Sequence, residues 1–451
     1  MKIKLLTIIA AAVLMIFTPV TAPAQLPKET EAQKMQRMKW WTDARFGMFI
    51  HWGLYALPAR HEWVKNRERI TTEDYQKYFE MFDPDLYNPK EWAREAREAG
   101  MKYVVLTAKH HEGFCLWDTK YTDYKSTNTP FGRDILREYV DAFRAEGLKV
   151  GFYYSLIDWH HPDYTIDSRH PQRQENDADY ERLNKGKDMN KYREYMKNQV
   201  RELLTNYGEI SIIWFDFSFP GKNGKGRQDW DSENLLKLTR SLQPGIIVDD
   251  RLDLKDVEGG WDFTTPEQRK VTKWPEENGK KVAWETCQTF SGSWGYYRDE
   301  TTWKSPAQLI ELLTESVSKG GNLLLNVGPT ARGTFDYRAK ERLEAMGEWM
   351  KYNSRSVYNC TEAPSGIVAP PNTLLTYNPE TKRLYVHLLA YPMGSLRMEN
   401  MAGKIKYVQF LHDASEIRFS TGTGDDSNAI NMQLPVLKPP VEIPVLEIYL
   451  N

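Results

Sequence analysis

Between about residues 45 and 330, short apolar runs alternate with amphipathic helical stretches. This alternation is typical of parallel strands joined by crossover helices. No run is followed by a G-x-G-x-x-G turn or a Walker loop, so a closed (β/α)8 TIM-like barrel is favoured over an open, doubly wound sheet. Seven of the eight barrel strands can be named, at 46–52, 103–107, 150–155, 210–216, 246–248, 282–285 and 322–327.

The stretches between these runs predict helices and loops. Helical spacing of apolar residues, often after a capping residue or a first-turn proline, predicts helices at 89–99, 134–146, 190–206, 232–241 and 306–318. Two polar inserts, 158–187 and 217–230, follow strand ends. Barrel enzymes place substrate loops there, so we expect both inserts near the site.

The pattern changes near residue 352. Short alternating runs separated by turns follow at 373–377, 383–389, 405–411 and 441–449. They predict a small antiparallel β-sandwich. We therefore expect a catalytic barrel at 25–352 and a C-terminal sandwich at 353–451.

The first residues are typical of a signal peptide. Lys2 and Lys4 precede an apolar run from residue 5 to 20, and a small-x-small pattern ends at Ala24. We expect residues 1–24 to be removed and the chain to be exported, to the periplasm or outside the cell. No other segment is apolar for long enough to span a membrane.

Composition narrows the class of ligand. Lys+Arg 60 against Asp+Glu 62 gives a net charge of −2, which does not fit a nucleic-acid binder. Three widely spaced cysteines, at 115, 287 and 360, form neither a disulfide framework nor a zinc pattern, although one bridge remains open. Aromatic residues make up 13% of the chain, and flat faces with polar edges suit sugars.

Barrel enzymes assemble their active sites at the carboxyl ends of the strands. Polar residues that end an apolar run are therefore the functional candidates. Five runs end in this way, with the residues HW (51–52), KHHE (109–112), YY (153–154), WFD (214–216) and DDR (249–251).

Asp216 is the sharpest candidate because it ends a nearly all-apolar strand. A carboxylate there is either desolvated at a cost of several kcal/mol or used in chemistry, unless it is a helix-capping or loop aspartate. A glycosidase needs a second carboxyl group as acid and base. Glu267 and Glu285 are both candidates, and the residues alone do not choose between them.

His110 and His111 invite a metal interpretation, since adjacent histidines are common ligands. Neighbours in a strand point to opposite faces, however, and no H-E-x-x-H or paired C-x₂-C spacing occurs. We therefore expect no metal, and we expect neutral imidazoles that donate hydrogen bonds to sugar hydroxyls.

Taken together, the motifs resemble glycoside hydrolase family 29, the α-L-fucosidases, over nearly the whole mature chain. The resemblance implies hydrolysis of terminal α-L-fucose from fucosylated oligosaccharides or glycoconjugates, with net retention and no cofactor. The matching blocks are RFGMFIHWG (45–53), AKHHEGF (108–114), GFYYS (151–155), WFD (214–216), KVAWETC (281–287), SWGY (293–296) and GNLLLNVGP (321–329).

The resemblance also implies roles for individual residues. Asp216 matches the nucleophile, and Arg251 matches the arginine beside the catalytic pair. The Thr-Pro-Glu position favours Glu267 as acid/base, with Glu285 as second choice. The substrate contacts that it implies are His51, Glu62, Trp63, His110, His111 and Tyr154, with Trp214 and Trp294 on the apolar side.

One position departs from the pattern of the family. Many members have glycine after the nucleophile, whereas this chain has Phe217, which is expected to narrow the aglycone side. The alternatives are a non-catalytic glycan-binding protein on the same scaffold and an exo-glycosidase for a related sugar such as an α-L-galactoside. Linkage preference and oligomeric state are left open.

Overall fold

The computed structural model describes residues 29–451, and the predicted signal peptide at 1–24 lies outside them. A seven-stranded parallel sheet runs in the order β5-β4-β3-β2-β1-β9-β8. Its strands are β1 (Phe46–Ile50), β2 (Tyr103–Lys109), β3 (Lys149–Ser155), β4 (Ile212–Asp216), β5 (Ile247–Val248), β8 (Glu285–Thr289) and β9 (Asn322–Val327). A short antiparallel hairpin, β6 (Glu276–Glu277) and β7 (Lys280–Lys281), precedes β8.

The segment 262–268 occupies the eighth position and closes the barrel. Asp249 forms a parallel bridge with Phe263, and Thr264 and Glu267 form parallel bridges with the chain on the β8 side. Pro266 cannot donate a ladder hydrogen bond, so this edge is irregular rather than a regular strand. Glu267, which the sequence places in a loop, therefore ends a strand-like segment.

Period-two alternation divides the strand residues into two apolar layers. One layer fills the barrel interior and includes Phe49, Tyr103, Tyr153, Ile212 and Trp214. The other packs outward under the helices. This division decides which side chains reach the mouth of the barrel.

The helices cover the outside of the sheet, and all five predicted helices are confirmed to within one residue at each end. Asn88 caps α4 with Pro89 in its first turn, and Ser305 and Gln308 form a capping box on α10. The helices are α1 (Glu31–Ala44), α2 (Val64–Arg67), α3 (Thr72–Glu80), α4 (Pro89–Glu98), α5 (Ile135–Ala145), α6 (Asp177–Asn184), α7 (Met189–Thr205), α8 (Arg227–Trp230), α9 (Ser232–Leu242), α10 (Pro306–Ser318) and α11 (Tyr337–Asn353).

The C-terminal region is the predicted antiparallel sandwich. Its core contains side chains from both sheets, including Leu384, Val386, Met398, Met432 and Ile448. A four-stranded sheet, β10-β11-β16-β13, faces a three-stranded sheet, β12-β15-β14. The strands are β10 (Thr373–Asn378), β11 (Arg383–Leu388), β12 (Ser395–Met398), β13 (Ile405–Phe410), β14 (Phe419–Thr421), β15 (Ile430–Gln433) and β16 (Val445–Leu450).

The division of the mature chain after residue 352 stays a prediction. All three cysteines are free and buried, so the disulfide that the sequence left open does not form. Among residues 29–451, no helix has the length and apolar character needed to cross a bilayer.

Candidate active site

A cavity of about 450 Å³ opens at the carboxyl ends of the barrel strands. That volume lies within the range of small-ligand sites. Ten of the twelve residues predicted for the site line it. These are His51, Glu62, Trp63, His110, His111, Trp214, Asp216, Arg251, Glu267 and Trp294.

Asp216 is buried at the end of β4, and two donors fix its carboxylate. Arg251 Nη1 donates to Oδ1 at 2.8 Å, and the Tyr153 hydroxyl donates to Oδ2 at 2.7 Å. Burial, followed by the charge of Asp216, raises the pKa of Tyr153 well above its usual value, so its hydroxyl keeps the proton that it donates. The arrangement stabilises an ionised carboxylate that faces the cavity.

Arg251 also reaches the second carboxyl group. Its Nη2 donates to Glu267 Oε2 at 2.9 Å, and its guanidinium lies 4.4 Å from the Trp214 ring centroid. Burial opposes its charge, but Asp216 and then Glu267 help to raise its pKa well above the usual value. A shared guanidinium holds the two carboxyl groups close together, and retaining glycosidases need them about 5 to 5.5 Å apart.

Glu285 does not reach the cavity, and its expected position at a strand end is wrong. Strand β8 begins at Glu285, so its carboxylate lies deep in the barrel, where Trp41 Nε1 and the Tyr103 hydroxyl both donate to Oε2. Burial raises the pKa of Glu285 to about 7, although the donors around it oppose this shift. Its position leaves it far below the mouth where the leaving group departs.

The expected cavity contact of Tyr154 is also wrong. Its hydroxyl donates to Gln199 of α7 at 2.7 Å, on the outer face of the sheet. Tyr153 pairs with Trp214 in the register between β3 and β4 and shares the inward face with it. Alternation therefore gives Tyr153, rather than its neighbour, the contact with the carboxylate.

The hydrogen bond made by the Nδ1 atom fixes the tautomer of His51 and of His111. Asn326 Nδ2 donates to a carbonyl, so its Oδ1 accepts from His51 Nδ1 at 2.6 Å. Ser155 donates to a backbone carbonyl, so its Oγ accepts from His111 Nδ1 at 2.7 Å. Both Nε2 atoms are then acceptors, which for His111 corrects the expectation that its ring donates to the sugar.

Burial keeps both rings neutral. It lowers the pKa of His51 and of His111 well below the usual value, and the neighbouring His110 adds to both shifts. His111 Nε2 lies 3.9 Å from Asp216 Oδ2, beside the carboxylate. A hydroxyl of a bound sugar can therefore donate to each of these rings.

Glu62 holds part of the apolar wall in place. Its Oε2 accepts from the backbone amides of Trp294 at 3.2 Å and of Gly295 at 2.9 Å. The Trp294 ring lies 5.1 Å from the His51 ring and 6.0 Å from Phe49. This group of flat faces provides an apolar surface opposite the polar rings.

Many members of the family have glycine at the position of Phe217, and the backbone conformation there explains why. Its φ is +88°, a left-handed conformation that glycine adopts without strain. Its ring packs 5.2 Å from His111 and 5.5 Å from Trp63 at the rim. The side chain therefore narrows the mouth at the cost of a strained backbone.

Several lining residues were not anticipated. Phe49 precedes His51 by two positions and so shares its face, a signal that alternation provides. The other lining residues that sequence analysis missed include His61 and Arg169 on loops, and Asn66 and Arg67 on the short helix α2, none of which has a local pattern that marks it. Among residues 29–451, no group of three or more His, Cys, Asp or Glu side chains is placed to hold a metal ion.

Several solved structures that match this chain are α-L-fucosidases. The chain is similar to α-L-fucosidase isoenzyme 1 from Paenibacillus thiaminolyticus, with 43% identity, a TM-score of 0.86, and coverage of 93% of this chain and 99% of that chain. It is also similar to a Bacteroides thetaiotaomicron α-L-fucosidase trapped as a covalent intermediate with 2-fluoro-fucosyl fluoride in a glutamate-to-glutamine mutant. That match has 30% identity, a TM-score of 0.79, and coverage of 92% and 96%.

The sequence comparisons agree with the structural ones. Plasma α-L-fucosidase of Homo sapiens is 28% identical over 437 residues, 91% of this chain and 86% of that protein. The Alpha-L-fucosidase family model matches residues 15–355. The chain therefore belongs to the α-L-fucosidases of glycoside hydrolase family 29.

Proposed function

We propose that Asp216 is the nucleophile and Glu267 the acid/base in the retaining hydrolysis of terminal α-linked L-fucose. The observation that carries this assignment is the bridge by Arg251, whose two Nη atoms bind Asp216 at 2.8 Å and Glu267 at 2.9 Å in one cavity. Because both carboxyl groups are in place, a non-catalytic glycan-binding protein is not favoured.

The reaction proceeds in two displacements. Asp216 attacks the anomeric carbon while Glu267 protonates the departing glycosidic oxygen, which forms a fucosyl-enzyme. Glu267 then takes a proton from water as that water attacks the same carbon. Arg251 and the Tyr153 hydroxyl hold the nucleophile in place before and after each step.

The walls of the cavity suit fucose. The Nε2 atoms of His51 and His111 accept from ring hydroxyls, and His110 and Trp63 lie beside them. Trp214 and Trp294, with Phe49, form an apolar surface for the C5 methyl group. Burying one methyl group contributes about 0.8 kcal/mol. The cavity therefore favours fucose, which carries a methyl group on C5, over a related sugar that carries a hydroxymethyl group there.

The roles are tested with azide and two alanine variants. Asp216→Ala should lose activity by roughly 10³-fold or more, and azide should rescue it with formation of a β-fucosyl azide. Glu267→Ala should lose about 10²- to 10⁴-fold on glycan substrates, and azide should trap the fucosyl-enzyme as an α-fucosyl azide. Glu285→Gln is the control and should retain activity. If Glu267→Ala hydrolysed glycans at the wild-type rate, Glu267 would not be the acid/base.

We further propose that the chain is exported after cleavage behind Ala24. The basic and apolar start of the sequence supports this, as does the similarity to plasma enzymes. N-terminal sequencing of the protein from the culture medium or periplasm should begin at Gln25. Recovery of an uncleaved protein in the cytoplasm would contradict the proposal.

A further inference from the structure

A cluster of four arginines, Arg67, Arg69, Arg169 and Arg173, surrounds one side of the mouth of the catalytic cavity. Arg67 and Arg169 line the cavity itself. Arg69 and Arg173 line an adjoining open depression of about 330 Å³. Asn66 joins the two, since its side chain donates to the carbonyl of Arg169 and its carbonyl accepts from Arg173 at 3.1 Å.

None of the four has an acidic partner. In the part of the chain that the structure describes, no carboxylate oxygen lies within 4.0 Å of these guanidinium groups. Two of the four contact uncharged rings, since Arg67 contacts His61 at 3.1 Å and Arg169 lies 5.8 Å from the ring centroids of Phe217 and Phe219. The cluster is therefore a patch of uncompensated positive charge in a chain whose net charge is −2.

The acidic side chains of the two segments that carry the cluster are neutralised elsewhere. These segments, 64–69 and 167–173, contain two of them. Glu68 is bound by Arg60 through two hydrogen bonds of 2.7 Å. Asp167 is buried against Lys225 at 2.8 Å. Neither is available to compensate the cluster.

Further positive charge lies beneath the cluster. Lys65 is buried on the same segment as Arg67 and Arg69. Burial, followed by the charges of Lys65, Lys187 and Lys225, lowers the pKa of His170 to about 3. Lys225 is paired with Asp167, so the further positive charge near the cluster comes from Lys65 and Lys187, and it favours a bound anion.

The backbone that carries the arginines is held in place. Asp167 Oδ1 accepts from the Arg169 amide at 2.8 Å, and the His170 carbonyl accepts from the Arg173 amide at 3.0 Å. On the other segment, the Ile70 amide donates to the Lys65 carbonyl at 2.9 Å. A fixed backbone lowers the entropy lost when exposed side chains bind a ligand.

We propose that this arginine cluster is a subsite for a negatively charged group, a sulfate ester or a carboxylate, on the sugar next to the fucose. The proposal rests on the fucosidase function proposed above. The fucosyl ring occupies the buried floor, so the exposed rim contacts the aglycone. Guanidinium groups bind sulfate and carboxylate oxygens in the same forked geometry.

The test compares fucosylated oligosaccharides that differ only in one charge. The wild type should show roughly 10-fold higher kcat/KM for a glycan with a sulfated sugar or a uronic acid next to the fucose than for its neutral counterpart at low salt. This preference should fall toward unity at about 0.5 M NaCl, because salt screens exposed charges. The separate sulfate and carboxylate arms identify which group is preferred.

Two double variants show which arginines produce the preference for charged glycans. Arg67→Gln/Arg169→Gln and Arg69→Gln/Arg173→Gln should each lower the ratio of charged to neutral kcat/KM several-fold. Arg397→Gln is the matched control, since Arg397 is an exposed arginine on β12 of the C-terminal sandwich that is already paired with Glu399 at 2.7 Å. It should leave the ratio unchanged.

The results separate this proposal from the fucosidase function itself. An equal rate on charged and neutral glycans by the wild type, with normal hydrolysis of an aryl α-fucoside, would overturn the subsite alone. A ratio that falls equally in the Arg397→Gln control would also overturn it. Failure to hydrolyse every α-fucoside would overturn the fucosidase function and the subsite with it.

Discussion

Replacing Glu285 with glutamine should remove a pH dependence from the stability of the protein. Glu285 is fully buried, and burial raises its pKa from 4.5 to about 7 against the opposing effect of Tyr103 and Trp41. In the unfolded chain the same carboxyl group ionises near pH 4.5. Between these two pH values, the folded protein keeps a proton that the unfolded chain has released.

The sign and size of the effect follow from this difference. Unfolding releases a proton in this window, so the free energy of unfolding falls as the pH rises. The slope is about 1.4 kcal/mol per pH unit, which amounts to about 3 kcal/mol between pH 4.5 and pH 7. The stabilising contribution is thus fully present below pH 4.5 and lost as the pH approaches 7. A glutamine at this position cannot titrate.

Urea unfolding of the wild type and of Glu285→Gln at pH 4, 5, 6, 7 and 8 measures this contribution. The difference in the free energy of unfolding, wild type minus variant, should decrease by about 3 kcal/mol between pH 4.5 and 7 and be level outside that window. A difference that stays constant from pH 4 to 8 would refute the reasoning. Aryl fucosidase activity should persist in this variant and be lost in Glu267→Gln.

Three further predictions concern the cavity. Tyr153→Phe removes the hydroxyl that donates to Asp216 and should lower kcat/KM about 10- to 100-fold on an aryl α-fucoside, whereas an unchanged rate would contradict the contact. The matched variant Tyr154→Phe should retain activity. Phe217→Gly removes the ring beside Trp63 and should raise kcat/KM for branched aglycones relative to the aryl fucoside, and an unchanged ratio would count against a narrowed mouth. Extensive treatment with a chelator should leave the rate unchanged, and a loss restored by added metal would contradict a metal-free reaction.

The sequence was most informative where a local pattern and a general rule of the fold act together. A carboxylate at the end of an apolar run marks the mouth of a barrel, and Asp216 lies there. The histidines after β1 and β2 were found in the same way. In each case the strand ends where its apolar run ends, so the side chain opens into the cavity.

At two positions, the register of the strands made the same rule give a wrong prediction. The run 282–285 ends on Glu285 in sequence, but polar residues such as Thr286 and Gln288 continue β8 from that point. Tyr153 and Tyr154 are chemically identical neighbours, and only the pairing of β3 with β4 decides which one faces inward. Neither outcome could be predicted from the composition of one strand.

The arginine cluster could not be predicted for a different reason. Arg67 and Arg169 are separated by about a hundred residues. Arg67 ends the short helix α2 and Arg169 lies in a polar insert, and an arginine is unremarkable in either place. Only the folded chain shows that both line one cavity and that neither has a carboxylate beside it. Uncompensated charge is a property of the assembled surface and has no signature in a local sequence window.

The barrel interior contains two carboxyl groups whose different surroundings suit different roles. Each accepts a hydrogen bond from an inward tyrosine, Tyr103 for Glu285 and Tyr153 for Asp216. The two carboxyl groups differ in their other hydrogen-bond donor. Asp216 is bound by the cation of Arg251, whereas both donors to Glu285 are neutral side chains. Glu285, whose pKa burial raises to about 7, accepts hydrogen bonds from Trp41 and Tyr103 near the base of the barrel and lies too far from the mouth to attack an anomeric carbon. The carboxylate that Arg251 binds faces the cavity, which supports the proposal that Asp216 is the nucleophile.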